Sequence, residues 1–323
     1  PQACTTRQGW VVWLASNPTT NGGSGMQRWV KRGGIGVAVL LALGAAAVAL
    51  AVWQGDRKRE RQVTVAVHGI TPATDAKGVA RGHYLYRSRG CVDCHGVDGA
   101  GREFINDGNG MRIRGPNITP GSPTAKYSEL QWVRIVRHGV KADGRAAFIM
   151  PSEDYNRLTD QDLAALVGYV RTLAPRNGGA TVVELPLLVR ALYGVGAIRD
   201  AAEKIDHSLA PAMPIAAAVN AEHGAYVANM CIGCHGPGLS GGTIPGGPPD
   251  WPPAANLTPG KGGSMTRYTD SNAFVSMLRS GKRPDGSNIK VMPFESLREL
   301  DDTDAHALYA YLKTVPARPE GQR

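Results

Sequence analysis

Apolar residues are distributed along this chain in two different ways. Between Gly33 and Gly55 no charged residue occurs, and the run is built of Val, Leu, Ala and Gly with Trp29 and Trp53 near its ends. About 20 such residues coiled as a helix cross the hydrocarbon of a bilayer, so 33–55 is expected to be a transmembrane anchor. Further along, apolar positions recur every three or four residues, as amphipathic helices require. Leu163, Leu166, Val167 and Val170 make one such stripe, and Ala305, Leu308, Tyr309 and Leu312 make another. The stretches 128–138 and 270–280 stop at Gly139 and Gly281, each placed as a C-terminal cap. The last helices open on Thr159-Asp160-Gln161-Asp162 and Asp301-Asp302-Thr303-Asp304, with acidic residues at the positive end of the helix dipole. No alternating run of useful length points to a sheet, and the expected fold class is all-α.

The second half of the pattern repeats the first. With a constant offset of 142, Val133 falls on Val275, Arg137 on Arg279, Gly139 on Gly281, Asp143-Gly144 on Asp285-Gly286, Met150-Pro151 on Met292-Pro293, Asp162 on Asp304, Leu166 on Leu308 and Tyr169 on Tyr311. Upstream the offset drifts by two or three residues, and Asn117-Ile118-Thr119-Pro120 answers Asn256-Leu257-Thr258-Pro259. Such drift belongs in loops. The chain therefore divides into an N-terminal segment 1–32, the anchor 33–55, a first domain 75–175, a linker 176–220 and a second domain 221–316. The linker is rich in Pro, Ala and Gly, with a short helix expected within 185–204.

The charge is explained by position. Of the net +9, +6 lies between residues 1 and 61, where Arg7, Arg28, Lys31, Arg32, Arg57, Lys58, Arg59 and Arg61 face only Asp56 and Glu60. That is the flank of a membrane segment, with no footprint for nucleic acid. Met26 followed by Arg28, Lys31 and Arg32 resembles the start of a signal sequence, on which reading residues 1–25 are upstream sequence not native to the protein. Ala49-Leu50-Ala51 offers a cleavage site, but the apolar stretch is long for a signal core, so the helix is expected to stay as an anchor.

Cysteine carries the chemistry. Four of the five cysteines sit in two copies of one pattern, Cys91-Val92-Asp93-Cys94-His95 and Cys231-Ile232-Gly233-Cys234-His235, and Cys4 is left over as an incidental thiol. Two thiols three apart on one helical turn face the same side and can both add to the vinyl groups of one haem, while the adjacent histidine reaches its iron. A zinc site would need about four ligands together, and these lie in separate repeats. Two covalently bound haem c groups are expected, with Cys91, Cys94, Cys231 and Cys234 as attachment points and His95 and His235 as iron ligands. Because haem c is attached after export, 60–323 should lie outside the cytoplasmic membrane. The sixth ligand separates a carrier from a catalyst. Met150 lies 55 residues after His95 and Met292 lies 57 after His235, each followed by proline in an extended loop. Met230 would be on the wrong face, Met277 belongs to a packing stripe, and Met111 and Met265 do not match between repeats. His68, His83, His138, His207, His223 and His306 are expected to be ordinary solvent or core residues. Arg137 and Arg279 either approach haem propionates or are solvated or capping residues, and Tyr169 and Tyr311 pack between helices.

With these motifs, the Asn-Ile/Leu-Thr-Pro segments and the Met-Pro pairs together, residues 75–316 resemble the c-type cytochrome subunits that accept electrons from periplasmic alcohol, aldehyde or gluconate dehydrogenases. The resemblance implies two tandem α-helical cytochrome c domains with Met150 and Met292 as distal ligands, working as an electron carrier. Those subunits typically carry three haem motifs and this chain has two behind an N-terminal anchor, a count shared by membrane-anchored dihaem subunits of haem-copper oxidases. The implied partners are a dehydrogenase, a quinol-oxidising complex, a reaction centre or a terminal oxidase. The competing reading is a dihaem enzyme such as a peroxidase or a thiosulfate-oxidising cytochrome.

Overall fold

The computed structural model describes residues 23–248 and 250–322, so Cys4 and most of the segment before Met26 lie outside the described residues. One long helix, α1 (Gly23–Arg59), runs through the uncharged stretch and ends on Arg57, Lys58 and Arg59, cations at the negative end of its dipole. Within it, Arg28–Arg59 is long and apolar enough to cross a membrane. Contacts divide the chain inside this helix into a unit up to Ala49 and a unit from Leu50 onward. Among the described side chains up to Ala49, the leucines and valines are exposed.

The second unit contains the repeat. Its first copy runs α2 (Ala76–Ser88), α3 (Cys91–His95), α4 (Glu129–His138), α5 (Ser152–Tyr155) and α6 (Asp160–Thr172). After α7 (Leu187–Gly194), the second copy runs α8 (Ala221–Ala228), α9 (Ile232–His235), α10 (Ser271–Ser280), α11 (Phe294–Leu297) and α12 (Asp302–Leu312). The expected boundaries are met where capping chemistry sets them. Gly139 and Gly281 end α4 and α10 at φ of 65° and 72°, a left-handed conformation that glycine adopts without a Cβ penalty. Thr159 and Asp301 accept from the backbone N–H of Asp162 and Asp304 at the starts of α6 and α12. In each copy the first helix crosses the last through a glycine: a Cβ on Gly82 would strike the Ala165 carbonyl, and one on Gly224 the Ala307 carbonyl. Around these crossings lie two cores, one with Leu85, Tyr86, Trp132, Val133, Leu163 and Val167, the other with Val227, Met265, Phe274, Leu278, Leu308 and Leu312.

The domains are mostly helical, but the all-α expectation missed a small antiparallel sheet in the first copy, ordered β1 (Glu103–Asn106), β2 (Arg112–Arg114), β3 (Val182–Glu184). Its strands are three or four residues long, too short for alternation to register, and among them only Ile113 is buried. Because β3 lies within 176–220, that part of the expected linker pairs with the first domain's sheet. Further along it, α7 packs against the end of α1. Arg190 pairs with Asp56 (Nε to Oδ1, 2.9 Å), Arg61 with the fully buried Asp200 (Nη2 to Oδ1, 3.0 Å), and Tyr193 donates to Asp200 at 2.6 Å.

The two copies meet through reciprocal contacts. Tyr84 donates to Asp304 at 2.6 Å, and Tyr226, its counterpart at the offset of 142, donates to Asp162 at 2.6 Å. The Asp301 N–H reaches Tyr84 Oη at 3.2 Å as the Thr159 N–H reaches Tyr226 Oη at 3.3 Å. Ser296 donates to Asp93 at 3.0 Å, and the Gly233 N–H donates to Asp154 at 2.7 Å. Each of these three contacts thus has a mirror, whereas the Arg89–Asp304 and Arg87–Glu299 pairs cross without one, and α11 lies against α3 as α5 lies against α9.

Candidate functional site

Each Cys-x-x-Cys-His motif is a single helical turn held by its surroundings. Tyr86 donates to the Gly96 carbonyl at 2.5 Å and Tyr155 to the Arg89 carbonyl at 2.7 Å, bracketing α3. His95 Nδ1 donates to the Pro116 carbonyl at 2.9 Å, and His235 Nδ1 to the Ala255 carbonyl at 2.8 Å. A carbonyl can only accept, so both rings are fixed in the tautomer whose Nε2 carries the lone pair. Burial pushes the His95 pKa down, which favours the neutral ring that a metal needs. The carbonyl-bearing loops are pinned by the repeated Asn-x-Thr-Pro segments. Asn117 donates to the Arg176 carbonyl and accepts from the Thr119 N–H, and Asn256 does the same with Arg318 and Thr258.

A cavity of about 730 Å³ opens beside the first motif, a volume that suits a small-molecule cofactor. Cys91, Cys94, His95 and Met150 all line it, among apolar side chains including Leu85, Ile118, Val136 and Leu166. Two donors line it as well, Trp132 Nε1 and Arg114 Nε, both buried with no hydrogen-bond partner. Buried donors are rarely left unpaired. A largely apolar slot with thiols and an imidazole on one wall, a thioether in the lining and two orphaned donors fits a haem with its propionate carboxylates. In the second copy Met292 packs against the core that also receives Cys231 and Ile232. The motif thiols are unbridged, and burial raises the pKa of Cys91, Cys94 and Cys231 to about 12, so as free thiols they are poor partners for disulfide exchange. Among the described residues no group of three His, Cys, Asp or Glu converges to hold a bare metal ion.

Other expected residues fall into place around this site. Arg137 is buried and donates to the Leu158 carbonyl at 2.6 Å while pairing with Asp160 at 2.8 Å; Arg279 reaches the Arg298 carbonyl and Asp302. Both tie the end of one helix to the start of another, so the capping reading holds over the propionate reading. Tyr169 stacks obliquely on His83 and Tyr86, and Met265 and Met277 are core residues. Buried His138 sits with Nδ1 3.1 Å from His207 Nδ1. Sequence reasoning allowed His223 as a core residue, which it is, but missed its partner: it occupies the position of Arg81, which grips Asp162 through two bonds of 2.8 and 2.9 Å, and it donates to Asp304 at 2.6 Å. It also missed Tyr84, Tyr226, Arg89 and the two orphaned donors. The matched spacing of Gly82-x-Tyr84 and Gly224-x-Tyr226 was the available signal.

Comparison with known proteins gives the family of the chain. The family model described as Cytochrome c matches twice, at 79–174 and 221–316. The chain is 30% identical to the fructose dehydrogenase cytochrome subunit of Gluconobacter japonicus, across 77% of this chain and 55% of that protein. It is 29% identical to the cytochrome c subunit of the quinone alcohol dehydrogenase of Gluconacetobacter polyoxogenes, across 78% of this chain and 59% of the other. A protein described as a diheme cytochrome c-type, from Cereibacter sphaeroides, is 26% identical across 74% of this chain and 86% of its own length. The chain thus spans little more than half of the two dehydrogenase subunits.

Proposed function

The chain belongs to the cytochrome c family as a dihaem electron-transfer protein, and on that premise we propose which residues hold its haems and where its electrons go. Cys91 and Cys94 carry the first haem c and Cys231 and Cys234 the second. His95 and His235 would hold the irons through Nε2, and Met150 and Met292 would supply the thioether ligands. Each haem, when bound, supplies a one-electron iron couple whose potential a thioether ligand raises. The chain's own residues do the rest. The carbonyls of Pro116 and Ala255 orient the imidazoles, the apolar lining excludes water, and Trp132 and Arg114 offer hydrogen bonds to carboxylates. The observation that carries this reading is that Met150 lines the cavity shared by Cys91, Cys94 and His95.

The reciprocal interface packs the helix after each methionine against the other copy's haem motif, a placement that supports direct passage of electrons between the two haems. The α1 helix anchors the chain in the cytoplasmic membrane with 60–323 on the outer side. Electrons arrive from a dehydrogenase, as the names of the related subunits suggest, and leave to a respiratory acceptor, with no bond-making chemistry in this chain. Met150→Ala and Met292→Ala are each expected to remove half of the weak near-infrared sulfur-to-iron absorption of the oxidised protein. Each should also lower one potential by something on the order of 0.1 V. A full-intensity band in either variant excludes that methionine, and a peroxide-reactive high-spin haem in the unaltered protein overturns the carrier reading.

A further inference from the structure

We propose that α7 lies in the headgroup layer of the membrane with a leucine-rich face turned into lipid, docking the first haem domain against the bilayer; this rests on the reading of α1 as a spanning helix. The polar side of α7 faces α1. Arg190 pairs with Asp56, the Tyr193 carbonyl accepts from Lys58 Nζ at 3.1 Å, and Tyr193 is buried. The two backbones touch, because a Cβ on Gly194 would strike the Ala51 carbonyl and one on Gly55 the Arg190 carbonyl. Among the described residues the other side of α7 is left largely uncovered. Leu187, Leu188 and Val195 are 63, 69 and 64% exposed, and Leu192 joins them. A single exposed leucine is ordinary on a soluble domain, but four apolar side chains along one face of one short segment mark a contact surface.

Location decides what covers it. The α7 helix touches α1 between Ala51 and Lys58, where the uncharged run gives way to Asp56, Arg57, Lys58 and Arg59. That is the level at which a spanning helix leaves hydrocarbon for headgroups, and exposed Trp53 at the same level is a residue that favours this boundary. An apolar helix face there meets acyl chains, while exposed Arg57 and Arg199 are placed for anionic headgroups. Arg59, Glu60 and Tyr193 also line the first haem cavity, so this docking makes the first site the membrane-proximal one.

The test uses the full haem-loaded chain with Cys4→Ser, one chain per lipid nanodisc containing anionic lipid, and single substitutions Leu188→Cys, Ser287→Cys and Leu43→Cys reacted with a charged, membrane-impermeant maleimide. Ser287 lies in an exposed turn of the second domain, and Leu43 in the apolar run. Modification at 188 is expected to be roughly tenfold slower than at 287, or slower still, because a thiol in lipid forms little thiolate. Reaction at 188 as fast as at 287, with 43 protected, overturns the proposal while the spanning helix stands. Reaction at 43 removes the spanning helix and this proposal with it. Protection at 188 that appears only when discs hold two or more chains assigns the face to a second copy and also overturns it.

Discussion

The first and second haem-bearing units share a frame and differ in what they put around it. Both keep the glycine crossing, the histidine-to-carbonyl bond, the Asn-x-Thr-Pro staple and the tyrosine that reaches the other unit's aspartate. They diverge at the cofactor edge and in the charges beneath those aspartates. In the first unit Trp132 and the β-sheet residue Arg114 bring donors to the cavity, whereas Phe274 stands where Trp132 would be repeated. Asp162 is gripped by Arg81, and Asp304 by His223 together with Arg89 from the other unit, Arg89 Nη2 lying 2.6 Å away. The duplication has kept the histidine-to-carbonyl bond and the tyrosine exchange across the interface, has not kept the Tyr86 and Tyr155 bonds that bracket α3, and has varied the charge environment on each side. Two chemically distinct haem sites follow from one repeated scaffold.

The severest way to break the comparison is to remove one cofactor. A domain built around a cofactor slot loses part of its core with the cofactor, and the cavity beside α3 would be left lined by apolar side chains facing nothing. Cys91→Ala with Cys94→Ala should halve the haem per chain and leave the first unit open to proteolysis, while the second unit still stains for covalent haem on a denaturing gel. A protease-resistant first unit without haem would show that its core closes by itself. The reciprocal contacts add a second expectation. The mirror pair Cys231→Ala with Cys234→Ala should spare the first unit more completely, because β3 and α7 brace that unit independently of the interface.

The repeat, the helix limits set by caps and the haem motifs were all legible in the residue pattern, since each depends on local chemistry at fixed spacing. The sheet was not, because its three strands are shorter than the window in which a period of two can be recognised. The partners of Asp162 and Asp304 were not legible either. An aspartate near a helix start reads as satisfying its own dipole, and nothing in periodicity says that a tyrosine more than sixty residues away in one case, and more than two hundred in the other, completes its hydrogen bonds. The repeated Gly-x-Tyr spacing shows that those tyrosines are equivalent to each other, but only the structure shows that they exchange sides.

Those aspartates allow a smaller and sharper test. Asp304→Asn leaves the guanidinium of Arg89, 6% exposed, without a counter-charge, and breaking a buried pair in this way costs about 3–5 kcal/mol. Asp162→Asn leaves Arg81, 31% exposed, which can turn to water, and about 1 kcal/mol is expected. Denaturant unfolding followed at the haem bands measures both, and equal losses would mean that the two charge clusters do the same work. Acid separates the units further. Burial pushes His138 down to about 4, with His207 and Arg137 adding to it, so the folded first unit holds this ring neutral. Between pH 6.5 and 4 the unfolded chain then binds the extra proton, and stability contributed by neutral His138 is lost as pH falls through that window. Asp304 behaves differently. Burial works to raise its pKa, but Arg89, Tyr84 and His223 outweigh burial and hold it at about 2, so its contribution is intact above pH 4 and is lost only as pH falls toward 2. The first unit is expected to weaken at a higher pH than the second, and His138→Gln should bring the two acid transitions closer together.

The smallest expected effect bears on why the two sites differ at all. Trp132 Nε1 is a buried donor without a partner on the wall of the first cavity, so in the haem-loaded protein it is placed to meet a propionate carboxylate. Trp132→Phe gives the first unit the side-chain type that the second carries at Phe274. One hydrogen bond of about 1 kcal/mol is lost, and the uncompensated carboxylate charge then favours the ferric iron beside it. At 59 mV per tenfold change for one electron, the first potential should fall by no more than about 40 mV while the second stays fixed. Potentiometric titration with the two haems resolved by their paramagnetically shifted methyl resonances reads each separately. If both potentials move together, the difference between the sites is set across the interface, by Arg89, Asp304 and His223, and the cavity donors contribute only to holding the haem in place.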